Sequence, residues 1–109
     1  MKDGIYYVQF HTSSDNGGGI VVVKDGSVNG ADQSFVYQGS LADSGAGAIA
    51  GTLQVFRWGG SQSSVMGADN YELKITGTQL PNGSATLQGA TAASPQVLNI
   101  SARHIGLLV

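Results

Sequence analysis

A chain of 109 residues has room for one domain of ordinary size around a single core. With 41% apolar and 11% charged residues it is neither a charge-rich disordered chain nor a membrane-embedded one. The net charge of −2 and the scattered cations Lys2, Lys24, Arg57, Lys74 and Arg103 offer no basic surface for a phosphate backbone, so direct nucleic-acid binding is not expected.

The chain opens with Met1-Lys2-Asp3-Gly4 and passes straight into a strand-like run, without the basic and long apolar segments of a secretory signal, so cytoplasmic residence is expected. Residues 4–12 alternate, with Ile5 and Tyr7 opposite Tyr6, Val8 and Phe10. The next expected strand, 19–24, contains Ile20-Val21-Val22-Val23, apolar on both faces and far too short to span a bilayer as a helix. In a half-buried sheet one of its faces meets solvent, and together with Ile5 and Tyr7 it predicts an apolar patch for a partner or a second copy. A local bulge, or cover by the tail Leu107-Leu108-Val109, is the alternative.

A short strand is expected at 27–30 and others at 33–39, 48–57, 70–78, 84–91 and 96–104. The clearest is Tyr71-Glu72-Leu73-Lys74-Ile75-Thr76, whose period of two gives one dry face. Asn16-Gly17, Asp25-Gly26, Asn29-Gly30 and Pro81-Asn82-Gly83 supply turn residues, and the 17 glycines show no repeat period. No segment has the 3.6-residue spacing of a helix. The expectation is therefore an all-β, antiparallel, up-and-down barrel of about eight strands filling residues 1–109, with a two-sheet sandwich as competitor.

Chemistry-bearing clusters are scarce. With no cysteine, thiolate metal sites and cysteine nucleophiles are excluded. His11 and His104 lie near the C-terminal ends of the first and last strands, which in a closed meander are opposite rims, so no shared metal site or proton relay is expected. Gly17-Gly18-Gly19 lacks the Lys-Ser/Thr and the helix of a phosphate loop. Ser13-Ser14 and Ser61-Gln62-Ser63-Ser64 read as loops without an activating base. Arg57 shares parity with Ile49, Leu53 and Val55: either it points inward at a rim, where it would hold an anionic head, or a salt bridge or bulge turns it outward. Trp58, before Gly59-Gly60, is expected to plug a barrel end or to line a ligand site. Neither enzyme chemistry, a metal nor a cofactor is expected. Glycines and alanines at 46–51 and 89–93 would leave space for a small apolar ligand if they face inward, which makes a carrier or sensor the second functional reading.

Met1-Lys2-Asp3-Gly4-Ile5-Tyr6, Gly19-Ile20 with Lys24-Asp25-Gly26, and Val36-Tyr37-Gln38-Gly39 together resemble the GrlR family of small negative regulators of type III secretion. The resemblance is densest over residues 1–41 and weaker through Arg57 and the 69–76 strand. It implies an eight-stranded, lipocalin-like barrel, a homodimer, and inhibition by capture of a transcriptional activator. Enteropathogen members carry a run of acidic residues after the Tyr-Gln-Gly segment to grip that activator. The corresponding stretch here, Ser40 to Gly47, holds Asp43 and Ser44 at the expected contact loop, with Asp43 its only acid. Fewer like charges alter the electrostatic complementarity that selects a partner.

Overall fold

The structure is a computed structural model that describes residues 1–60 and 63–109, so Ser61 and Gln62 of the expected serine-rich loop lie outside the described residues. Its strands are β1 (Gly4–His11), β2 (Asn16–Lys24), β3 (Ser27–Ala31), β4 (Phe35–Gly45), β5 (Ala48–Arg57), β6 (Asn70–Gln79), β7 (Ala85–Thr91) and β8 (Ser94–Gly106). Each pairs antiparallel with its neighbours in sequence, and β1 pairs with β8 to close the barrel. This is the expected eight-stranded up-and-down barrel, not a sandwich.

Alternation explains which side of each strand is dry. In β6, Tyr71, Leu73 and Ile75 are buried while Glu72, Lys74 and Thr76 are exposed. Tyr6 and Val8 of β1, Tyr37 and Leu41 of β4, and Leu87 of β7 complete the same lumen. The turn between β2 and β3 is as short as a hairpin allows: Asp25 and Gly26 both take positive φ, 50° and 83°, which matches the twist of the flanking strands.

Closing a small cylinder requires sharply coiled strands, and two glycines on β4 and β5 permit it. Gly39 lies opposite Leu53, and Gly51 opposite Leu41. A Cβ on Gly39 would stand 2.0 Å from the Thr52 carbonyl oxygen, and one on Gly51 the same distance from that of Ser40. Any side chain would force these strands apart, which is the role of glycine kinks in curved sheets.

The expected strand at 33–39 is in fact much longer, because β4 runs on to Gly45 and its ladder with β5 continues through Asp43 opposite Ile49. Gly45, Ala46 and Gly47 all have positive φ, so the chain reverses within them and leaves Ser40–Asp43 paired, with Ser44 at a bulge. The small and polar residues that suggest a loop are here the solvent side of a strand.

Candidate functional site

The exterior is mostly polar. Gln38, Ser40, Thr52, Gln54, Glu72, Lys74, Thr76 and Gln88 face solvent from β4 to β7, opposite in sense to a membrane barrel, whose outer band is apolar. No helix among the described residues is long and apolar enough to cross a membrane.

The side formed by β8, β1 and β2 is different. Ile5 lies opposite Val22, and Tyr7 opposite Ile20. Tyr7, Ile20 and Val22 are 36%, 43% and 37% exposed, and Ile5 is half-buried. Such cross-strand pairs bring side chains to about 5 Å, so the four form one apolar surface. Gly106 of β8 sits opposite Ile5 and leaves it uncovered by a side chain on that flank. The tail leaves Tyr7, Ile20 and Val22 exposed: Leu107 and Val109 stand in solvent and Leu108 is half-buried. Val21 and Val23 do not belong to it. They are buried in the lumen, because the period of two sends every second residue of the run Ile20–Val23 inward.

Asp43 and Ser44 lie at one end of the barrel, on the last turn of the β4–β5 ladder and not in a loop. The Asp43 carboxylate accepts a hydrogen bond of 2.7 Å from the Met1 ammonium, while the Met1 side chain is buried beneath it. The same end is tied across by Tyr6, whose hydroxyl donates to the Lys2 carbonyl at 2.6 Å. The Gln79 amide donates to the Tyr6 oxygen at 3.0 Å and to the Gly83 carbonyl at 3.2 Å. Burial pushes the Tyr6 hydroxyl above the usual phenol range, opposed by the Gln79 bond and reinforced by the charges of Asp3 and Asp43. The His104 ring meets Tyr6 edge-on, centroids 5.2 Å apart. His11 pairs with Asn99 at the other end of the β1–β8 ladder, so the two histidines do not meet.

Arg57 and Trp58 belong to that opposite end. Nε and Nη2 of Arg57 donate to Asp69 Oδ1 at 3.1 and 3.0 Å, Nη1 donates to the Gly59 carbonyl at 3.3 Å, and the guanidinium lies 4.6 Å over the Phe35 ring. Arg57 is therefore committed to a salt bridge and a ring face. Trp58 does not plug the barrel: it is 59% exposed, held by an Nε1–H bond of 3.1 Å to the Asp32 carbonyl. Met66, buried within the β5–β6 connection, packs against the core in its place.

This end is an open mouth. A cavity of about 470 Å³ lies between Phe10, Asp15, Asp32, Tyr37, Ser64 and Tyr71. Asp32, which the sequence pattern did not single out, organises it. One carboxylate oxygen accepts the Ser34 and Phe35 amides at 2.8 and 2.7 Å, and the other accepts the Tyr37 hydroxyl. The clue in the sequence is Asp32-Gln33-Ser34, a turn aspartate three residues before the start of a strand. Burial chiefly raises the Tyr37 hydroxyl, helped by its bond to Asp32 and by that charge. Tyr71 is also raised by burial and by Asp32, against a lowering bond from Ser64.

Below the mouth the lumen keeps a cavity of only about 70 Å³, against the several hundred of an ordinary ligand pocket. The small residues that were to provide space do not. Ala46, Gly47, Ala90, Ala92 and Ala93 are exposed. Gly51 and Gly89 do face the interior side, but a Cβ on either would lie 2.8 Å from the side chain of Leu41 or Leu73, which already fills the gap.

A search of curated proteins returned no match. The family model described as T3SS negative regulator, GrlR, matches residues 1–106, nearly the whole chain. With its closed barrel and this match, the chain belongs to the GrlR family of negative regulators of type III secretion.

Proposed function

We propose that this chain is a cytoplasmic regulatory binding protein that restrains type III secretion by protein contact with a transcriptional activator, and that it works as a homodimer. The observation that carries this reading is the group Ile5, Tyr7, Ile20 and Val22 clustered on the outer face of a barrel whose other sides are mostly polar. Family membership supplies the regulatory role. A contiguous apolar patch on a protein surface is costly to leave wet and is the usual mark of an interface. Lys24 and Arg103 border it, Arg103 lying opposite Tyr7, which favours partner surfaces with acidic margins.

Asp43 contributes little to such recognition, because its carboxylate already holds the Met1 ammonium. An acidic grip of the kind the resemblance implies has only this engaged residue, so the apolar side is assigned the main contact. The test is a secretion-promoter reporter in cells expressing the protein or its Ile20→Lys/Val22→Lys variant, with the purified activator titrated against both. Repression and activator binding are expected for the parent and lost in the folded variant. A variant that represses and binds as the parent does overturns the reading.

A further inference from the structure

We propose that the open mouth of the barrel binds a small amphiphilic organic cation, a protonated amine with a short apolar tail, at a site that the regulatory reading does not require. The cavity of about 470 Å³ is of ordinary ligand size. It opens over the apolar lumen, and Phe10, Tyr37, Val55, Val65 and Tyr71 line both spaces. A ligand seated there has a polar head at the rim and a tail directed to the dry interior.

The chemistry of the wall selects the head. Among the described lining residues there are two carboxylates, Asp15 and Asp32, and no lysine, arginine or histidine. Arg57, packed on the lining residue Phe35, is held by Asp69, which leaves the charges of Asp15 and Asp32 uncompensated by it. Tyr37 donates its proton to Asp32, which leaves the phenol oxygen as an acceptor. An ammonium head, all donors, matches the two carboxylates and the Tyr37 oxygen, whereas a carboxylate or phosphate head would meet like charge even where Asn16, Gln33, Ser63 or Ser64 donated to it. Phe10 and Tyr37, packed edge to face with centroids 6.0 Å apart, add aromatic surface of the kind that attracts organic cations. The Tyr37 and Tyr71 hydroxyls are raised chiefly by burial, with the Asp32 charge adding to both, so neither supplies a second negative charge at neutral pH.

The experiment titrates the protein at neutral pH with hexylammonium chloride, hexanol and sodium hexanoate, following the backbone and ring resonances of Phe10, Tyr37 and Tyr71. Hexylammonium is expected to bind at least about tenfold more tightly than hexanoate or hexanol. Asp32→Asn keeps an acceptor for the Ser34 and Phe35 amides while removing the charge, and is expected to weaken hexylammonium by about tenfold. Should that variant not fold, the decision passes to Asp15→Asn, an exposed position, with an expected loss of about threefold. Equal binding of the three probes, no shift with any of them, or unchanged hexylammonium affinity in the folded variant overturns the proposal.

Discussion

Two sides of one barrel obey different rules. From β4 to β7 the strands alternate with apolar residues inward and mostly polar ones outward, the half-buried pair Val36 and Phe56 being the exception, as a closed sheet in water demands. From β8 through β1 to β2 the inward positions obey the same rule, yet Ile5, Tyr7, Ile20 and Val22 break it on the outside. The first side shows what folding requires. The second carries apolar surface that folding does not require, and that excess is where binding is assigned.

The sharpest way to separate the two requirements is a pair of neighbouring residues. Val23→Asp places a carboxylate in a fully buried lumen position; an unpaired buried charge costs about 3–5 kcal/mol or more, a large part of a typical domain's stability. Urea melts should show it largely unfolded. Val22→Asp, one residue away on the exterior, should change stability by no more than about 0.5 kcal/mol while abolishing association. Equal losses of stability at both sites would erase the distinction between the faces.

On the polar side the same contrast should appear without any effect on binding. Leu73→Ala empties the space beside Gly89 and should cost about 2–5 kcal/mol. Lys74→Ala next to it, exposed, should stay within about 0.5 kcal/mol and leave association intact. Loss of association in folded Lys74→Ala would place the interface on the wrong side.

Alkali acts on the lumen and ends rather than on either outer face. The hydroxyls of Tyr6, Tyr37 and Tyr71 are all raised above 10.0, so the folded state holds these protons more tightly than the unfolded chain does. Their contribution is fully present below pH 10 and is lost as pH rises from there through the folded-state values. In that window stability should fall by about 1.4 kcal/mol per pH unit for each tyrosine ionised only on unfolding. Phenolate absorbance should therefore appear together with loss of the barrel; tyrosines that ionise in a still-folded protein would contradict their burial. A modest effect, less than about 1 kcal/mol, is expected from Asp43→Asn, because the Asp43 carboxylate is well exposed.

Much of the fold was legible because a period of two is a local property. The Tyr71–Thr76 segment and the turn at Asp25-Gly26 announce themselves in a few residues. The full length of β4 did not, since Ser40–Ser44 offers one apolar anchor, Leu41, among small and polar residues, and its ladder to β5 carries the strand on to Asp43. The valine run reads as apolar on both sides, but only barrel closure determines that Val21 and Val23 are the inward pair. The ends were least legible. Met1 closes one by packing and by its bond to Asp43, and Asp32 builds the other through contacts with residues two to five positions on. Trp58, the conspicuous aromatic residue of the rim, is instead exposed.

Sedimentation equilibrium of the parent protein beside Ile20→Lys/Val22→Lys, with circular dichroism to establish that both fold, bears most directly on the assignment of recognition to the β8–β1–β2 side. The parent should self-associate in a concentration-dependent way and the variant should remain a monomer of unchanged stability. A parent that stays monomeric across the concentration range, or a folded variant that associates equally well, would contradict it.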